Sequence, residues 1–139
     1  MAEGNGTAAT ARPPNILIVD DSAMMRALIR GVLGLTQVRI GKVYEAANGR
    51  EAIKVLETAS VQVVFTDINM PVMSGMELLR EIARRDAWNG ILRVVVSTDG
   101  TKLRRDEAEK LHVNRYVEKP FRPEAVRDVL LQITSPDLS

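Results

Sequence analysis

Five short segments typical of strands alternate with segments of helical periodicity along this chain, and that alternation limits the possible folds more than any other feature. The predicted strands lie at 16–19, 43–46, 61–66, 92–96 and 113–117, and the first of them is a continuous run of β-branched and aliphatic residues. Such runs are typical of strands buried on both faces of a parallel sheet, whose strands are joined by right-handed helical crossovers. A closed barrel of this type takes about 250 residues. With 139 residues, the chain is predicted to form an open, doubly wound α/β fold with a five-stranded parallel sheet.

The segments between the runs differ in how strongly they predict a buried helix. Four of them carry an apolar stripe at helical spacing. The stripes are Met25, Leu28, Ile29 and Val32; Ala52, Ile53 and Leu56; Leu79, Ile82 and Ala83; and Val126, Val129, Leu130 and Ile133. The segment 101–111 has only three apolar residues, and their spacing is poor. We therefore expect its helix to be the least firmly anchored of the five.

The composition excludes several kinds of site and partner. The chain has no cysteine, which rules out disulfides, thiolate metal centres and cysteine nucleophiles, and it has one histidine, His112. A formal net charge of +1 argues against a nucleic-acid partner. No apolar run approaches the roughly 18 residues of a membrane span, and the N-terminus lacks a secretory signal. We expect a cytoplasmic protein with a flexible tail at 1–14, one domain at 15–135 and a short tail at 136–139, without membrane or nucleic-acid partners.

Polar side chains end four of the five predicted strands. Asp20 and Asp21 follow the first strand, Asp67 follows the third, and Ser97 and Lys119 follow the fourth and fifth. Parallel strands end at the same edge of the sheet, where ligands of open α/β folds bind. Three carboxylates gathered there repel one another, by about 4 kcal/mol per pair at about 4 Å and an effective dielectric of about 20, unless one is protonated or a cation lies among them.

This set of groups suits a phosphoryl site that contains a hard cation. Carboxylate oxygens with open positions suit Mg²⁺, and a lysine and a hydroxyl beside them would bind phosphoryl oxygens. The chain has no glycine-rich nucleotide loop of the Walker type, so a bound nucleotide is not expected to supply the phosphoryl group. A carboxylate can itself be the nucleophile and become an acyl phosphate.

Each of these residues also has a purely structural interpretation. Asp20 and Asp21 could cap the first helix, Asp67 could start a turn, and Lys119 could be a solvated loop residue. The same holds for Tyr116, which could be an ordinary half-buried strand residue. The convergence of the strand-terminal groups favours a functional site over these alternatives.

The motifs around these residues resemble those of the receiver domain of two-component response regulators. The motifs are Val19-Asp20-Asp21-Ser22, Asp67-x-Asn69-Met70-Pro71-x-x-x-Gly75, Val96-Ser97-Thr98 and Lys119-Pro120-Phe121. They occur in the family's order and on the expected elements, and the resemblance covers about residues 15–134. It implies a flavodoxin-like (βα)5 fold with the strand order 2-1-3-4-5.

The resemblance implies roles in phosphoryl transfer and metal binding. Asp67 would accept a phosphoryl group from a histidine kinase. Asp20, Asp21, Asp67 and the backbone carbonyl of Asn69 would hold Mg²⁺, with Asp20 acting through water. Lys119 would pair with the phosphoryl oxygens, and a cis peptide bond would follow it.

The resemblance also implies a conformational switch. Ser97 would hydrogen-bond the bound phosphoryl group, and Tyr116 would turn inward when the Ser97 hydroxyl moves. Asn69 and Asp99 occupy positions that tune self-dephosphorylation in the family. Thr98 departs from the family pattern, which commonly has Ala or another small residue there, and this leaves the lifetime of the phosphorylated state open.

The function implied is that of a monomeric, stand-alone regulator, since the chain ends soon after the last helix. The segment 21–26 is most similar to chemotaxis regulators. The expected partners are a histidine kinase, a downstream target such as the flagellar motor switch, and a phosphatase. The fourth helix, fifth strand and fifth helix would form the output surface. Two alternatives stay open: a relay intermediate that passes the phosphoryl group to a histidine phosphotransfer protein, and a Mg²⁺-dependent phosphatase, for which the chain lacks an Asp-x-Asp motif.

Overall fold

Five strands and five α-helices alternate along residues 12–134, the part of the chain that the computed structural model describes. The predicted C-terminal tail and most of the predicted N-terminal tail lie outside the described residues. The elements are β1 (Ile16–Val19), α1 (Ala23–Leu35), β2 (Val43–Ala46), α2 (Gly49–Thr58), β3 (Val63–Thr66), α3 (Gly75–Arg84), β4 (Leu92–Ser97), α4 (Lys102–Lys110), β5 (Arg115–Glu118) and α5 (Pro123–Thr134), with a short 3₁₀ helix at Asp86–Trp88 before β4. Within this part of the chain, no helix is both long and apolar enough to cross a lipid bilayer.

The five strands form one parallel sheet in the order β2-β1-β3-β4-β5, which confirms the fold class and the strand order. The hydrogen-bond ladder continues one residue beyond the strands. The backbone N–H of Asp67 donates to the Val19 carbonyl at 2.9 Å, and that of Lys119 donates to the Ser97 carbonyl at 2.9 Å. The sheet itself therefore fixes the backbone of the residues that follow β3 and β5.

Helices cover both faces of the sheet because side chains alternate along each strand. Ile16 and Ile18 pack into a cluster with α1 and α5, whereas Leu17 and Val19 pack into a cluster with α2 and α3. All four residues of β1 are at most 1% exposed. Burial on both faces of the sheet therefore explains why β1 contains no polar residue.

Two of the predicted apolar stripes were wrong at one position each. Leu28 of α1 is 51% exposed, and the buried arc of that helix continues through Leu33 instead. Ala83 of α3 is exposed, because α3 turns Leu78 toward the sheet and carries Ala83 past the edge of the contact. The side chain of Ile133 is outside the described residues.

The boundaries of three strands also differ from the prediction, and β4 and β5 each extend one residue further, to Ser97 and Glu118. β3 begins at Val63 rather than at 61. β5 begins at Arg115 rather than at 113, because the backbone N–H of Val113 donates back to the Ala108 carbonyl and so completes the turn that ends α4. A hydrogen bond to the preceding helix removes this N–H from the sheet.

α4 buries few side chains, in line with its weak apolar pattern. Ala108 is its one buried residue, and Leu103 is 69% exposed. Beyond its C-terminus, the buried side chain of Arg93 donates to the carbonyls of Leu111 (3.3 Å) and Trp88 (3.2 Å), which ties this end of the helix to β4. The apolar pattern of α4 gave no indication of this polar anchor.

Candidate functional site

The carboxylates of Asp20, Asp21 and Asp67 lie together at the carboxyl edge of β1 and β3. One oxygen from each lies within 4.8 Å of the other two. Asp20 is buried, Asp67 is half-buried and Asp21 is exposed, so the cluster opens to solvent on one side. A group of this kind could hold a metal ion. Ser22 provides the side-chain N-cap of α1 by accepting a hydrogen bond from Met25 N, which leaves Asp21 free of that capping role.

Lys119 bridges two of the three carboxylates. Its Nζ donates to Asp20 Oδ2 at 2.9 Å and to Asp67 Oδ2 at 3.1 Å, and its side chain is 11% exposed, so it is not a solvated loop residue. Burial by itself lowers the pKa of Lys119, but the hydrogen bonds to the two carboxylates and their charges raise that pKa above its ordinary value. The peptide bond between Lys119 and Pro120 is cis, as the resemblance implied.

Backbone groups orient the carboxylates of Asp20 and Asp67. Asp67 Oδ1 accepts from the N–H of Ile68 at 2.7 Å, and Asp20 Oδ1 accepts from the N–H of Ser22 at 2.9 Å. The hydroxyl of Thr66 donates to the Asp67 carbonyl at 2.8 Å. Each carboxylate thus has one oxygen held by the main chain while the other faces Lys119.

A residue that sequence reasoning missed also supports this edge of the sheet. Arg26 Nη1 donates to the Asp20 carbonyl at 2.6 Å, and Arg26 Nε donates to Glu45 on β2 at 2.9 Å. The hydrogen bond from Arg26 holds the pKa of the Glu45 carboxyl below its ordinary value, and Arg30 adds to this effect. Arg26 belongs to the helix that follows the acidic pair, but its partner lies 19 residues away, so only the fold reveals the contact.

The loop that follows Asp67 returns close to its own start at Gly75. The N–H of Gly75 donates to the Ile68 carbonyl at 2.8 Å. A Cβ added at Gly75 would lie 1.9 Å from the Asp67 carbonyl oxygen and 2.8 Å from Ile68 Cα, which real atoms do not tolerate. Glycine is therefore required here by the close approach of two backbone segments.

Gly75→Ala is expected to destabilise the protein by about 3 kcal/mol, because relief of the clash requires movement of the backbone that carries Asp67. Urea denaturation measures this change. Gly31→Ala is the matched control: Gly31 lies in α1 with no heavy atom near an added Cβ, so this change is expected to stabilise by up to about 1 kcal/mol. Equal stability of Gly75→Ala and wild type would contradict the close approach.

A second group of polar residues follows β4. Ser97 is fully buried, and its Oγ accepts from the N–H of Asp99 at 3.1 Å. The hydroxyl of Tyr116, on β5, donates to the carbonyl of Asp99. Ser97 and Tyr116 are thus both hydrogen-bonded to the backbone of one residue, so displacement of the 97–99 segment changes the surroundings of Tyr116.

Hydrogen bonds, burial and charge shift the pKa values of two residues in this second group, Asp99 and Tyr116. Hydrogen bonds from the Thr101 side chain and backbone hold the pKa of the Asp99 carboxyl below its ordinary value. Burial, and then the Asp99 charge, raise the pKa of the half-buried Tyr116 hydroxyl. Thr98 and Asn69 are exposed. The structure therefore brings Asp20, Asp67 and Lys119 into direct contact, whereas the side chains of Thr98 and Asn69 lie open to solvent.

The sheet order, together with an acidic cluster and a lysine at the carboxyl edge, defines a flavodoxin-like domain of the CheY fold. Residues 16–131 match the model of the response regulator receiver domain, and the chain belongs to that family.

Similar proteins agree with this family. The chain is 36% identical over 116 residues to a chemotaxis protein CheY homolog of Campylobacter jejuni (strain 81-176), covering 83% of this chain and 88% of that protein. It is 36% identical over 118 residues to the chemotaxis protein CheY1 of Helicobacter pylori (strain J99), covering 83% and 92%. Among solved structures, it is similar to the chemotaxis response regulator CheY4 of Vibrio cholerae, with a TM-score of 0.76, 26% identity and coverage of 87% and 98%.

Proposed function

We propose that this protein is a response regulator that accepts a phosphoryl group on Asp67 from a histidine kinase and thereby changes its binding to a target protein. The observation that carries this proposal is the pairing of the Asp67 carboxylate with Lys119 Nζ at 3.1 Å inside a cluster of three carboxylates. An acid in this position has a nucleophilic oxygen, a neighbouring cation and an opening to solvent through which a donor can approach.

In the proposed step, a carboxylate oxygen of Asp67 forms a bond to phosphorus. The bond from phosphorus to the imidazole nitrogen of the donor breaks, and its electron pair stays on that nitrogen. The Ile68 N–H keeps the carboxylate oriented, and the Lys119 ammonium stabilises negative charge on the phosphoryl oxygens. The product is an acyl phosphate at Asp67.

The acidic cluster fits Mg²⁺. It offers only oxygen ligands, and three carboxylates face one ammonium, which leaves an excess of two acidic groups over bases for a divalent cation. We assign Asp20, Asp21, Asp67 and the Asn69 carbonyl as the groups that would hold it. When bound, Mg²⁺ would neutralise charge on the phosphoryl oxygens during transfer.

The proposed switch runs through the 97–99 segment. A phosphoryl group on Asp67 would draw the Ser97 hydroxyl toward it as a donor, and this displacement of Oγ would lengthen the hydrogen bond that Oγ now accepts from Asp99 N–H. Because the Tyr116 hydroxyl is bonded to the Asp99 carbonyl, Tyr116 would move with the segment. Asp99 and Asn69 are proposed to tune dephosphorylation, and the exposed Thr98 would limit access of water to the acyl phosphate.

We further propose a role in chemotaxis as a single receiver domain. The support is that the Campylobacter and Helicobacter relatives are chemotaxis proteins and that the match covers 88% and 92% of their lengths. The output surface would consist of α4, β5 and α5.

The proposal is tested by incubating the protein with acetyl phosphate and Mg²⁺ and measuring its intact mass. One phosphoryl group is expected, and EDTA should prevent its uptake. Borohydride reduction converts an aspartyl phosphate to homoserine, so peptide mapping should find homoserine at position 67. A phosphoryl group located on a serine, threonine or His112 would overturn the assignment. Transfer to a histidine phosphotransfer domain that is faster than hydrolysis would favour the relay alternative.

A further inference from the structure

The side chain of Arg105, on α4, contacts three separate parts of the region around Tyr116. Its Nε donates to the Gly100 carbonyl at 3.1 Å, and its Nη2 donates to Glu118 Oε1 at 2.7 Å. Its guanidinium carbon lies 4.6 Å from the centroid of the Tyr116 ring, within the range of a cation–π interaction. One side chain thus joins the loop after Asp99, the end of β5 and the aromatic ring.

The loop leaves space for this arrangement at Gly100. A Cβ added at Gly100 would lie 2.2 Å from Cδ and 2.3 Å from Oε2 of Glu118. With glycine at this position, the Glu118 carboxylate lies against the loop, where it pairs with Arg105. Gly100 directly follows Asp99, and Glu118 directly precedes Lys119. The contacts of Arg105 therefore fall on the chain segments that carry the proposed switch.

We propose that Arg105 is a positioning residue for Tyr116: it holds the ring in the orientation in which the Tyr116 hydroxyl donates to the Asp99 carbonyl. This inference rests on the proposed function for its significance. The ring lies under the guanidinium, and its hydroxyl is bonded to Asp99, so two contacts on different atoms fix one orientation. The hydrogen bond to Glu118 holds the planar guanidinium over the Tyr116 ring. A lysine at this position would hold its flexible ammonium over the ring less firmly.

The ion pair alone would not justify this role. The side chains of Arg105 and Glu118 are 42% and 54% exposed, and exposed pairs contribute little to stability. The cation–π contact is expected to favour the present ring orientation by about two- to fivefold. Since α4 buries only Ala108, a purely structural role for Arg105 would be to anchor this helix. The test must separate ring position from helix anchoring.

The experiment uses full-length protein labelled with 3-fluorotyrosine. The chain has two tyrosines, Tyr44 and Tyr116, so two ¹⁹F NMR signals are expected, and Tyr44→Phe assigns them. In unphosphorylated Arg105→Gln, the Tyr116 signal should shift and broaden as the ring leaves its single orientation. Arg105→Lys should cause a smaller shift, and Glu118→Gln a shift in the same direction. Lys102→Gln is the matched control. Lys102 pairs with Asp106 on the same helix, and its substitution removes the same positive charge from α4 without changing a contact of Arg105.

The inference is overturned if Arg105→Gln leaves the Tyr116 signal unchanged but lowers the protection of the α4 amides from hydrogen exchange. That result would mean that Arg105 only anchors the helix. It is also overturned if Lys102→Gln moves the signal as much as Arg105→Gln does. All of these spectra are recorded without a phosphodonor. A wild-type protein that takes up no phosphoryl group would therefore refute the proposed function without affecting the test of Arg105.

Discussion

Asp67→Asn is expected to take up no phosphoryl group from acetyl phosphate under conditions in which the wild type takes up one. The amide of asparagine is neither charged nor an effective nucleophile, and it cannot form the acyl phosphate. The substitution also removes one carboxylate from the acidic cluster and replaces one of the two charged acceptors of Lys119 Nζ with a neutral amide. Intact mass spectrometry over a time course with Mg²⁺ measures the loss.

Asp128→Asn serves as the control for this experiment. Asp128 is exposed on α5, and the same chemical change there leaves the acidic cluster intact, so its uptake should match that of the wild type. Phosphoryl uptake that persists in Asp67→Asn would move the acceptor to another residue. Peptide mapping would then identify that residue, with Asp20 and Asp21 as the neighbouring candidates.

Lys119→Met is expected to lower the free energy of unfolding by about 3 kcal/mol in the absence of Mg²⁺. Methionine retains much of the apolar volume but leaves the buried Asp20 carboxylate without its cationic partner, and removal of one member of a buried pair typically costs 3–5 kcal/mol. The same change removes the positive charge that competes with a metal ion. Mg²⁺ affinity should therefore rise by at least about tenfold, and Mg²⁺ should restore part of the lost stability.

Urea denaturation with and without Mg²⁺ and a direct Mg²⁺ titration measure these effects. Lys102→Met is the control: Lys102 is largely exposed and pairs only on the surface of α4, so its loss should change the free energy of unfolding by less than about 0.5 kcal/mol. A Lys119→Met protein with wild-type stability and unchanged or weaker Mg²⁺ binding would contradict the bridging role.

The carboxyl edge of the sheet could be predicted because its groups come where the strand-forming segments stop. Asp67 follows β3, Ser97 ends β4 and Lys119 follows β5, and parallel strands must end at one edge. The order of the strands could not be obtained in this way, since periodicity identifies a strand without naming its neighbours. That order followed from the resemblance to receiver domains, and the sheet confirms it.

The errors in the predicted helices have one cause. Helical spacing indicates which face of a segment is apolar, but the width of the buried arc depends on how the helix lies across the sheet. Leu28 fits the periodicity of α1 and is nevertheless 51% exposed, whereas Leu33 is buried. The predicted burial of Ala83 in α3 was wrong for the same reason.

The sequence by itself determined the alternation of strands and helices, the parallel direction of the sheet and the gathering of acids at its carboxyl edge. All of these depend on local hydrophobic periodicity and on where each apolar run stops. Only the tertiary structure decided the contacts of Arg26 with Glu45, of Gly75 with Asp67 and of Arg105 with Tyr116. These contacts join separate segments, and their distances depend on the angle and height at which each helix crosses the sheet, which no local pattern encodes.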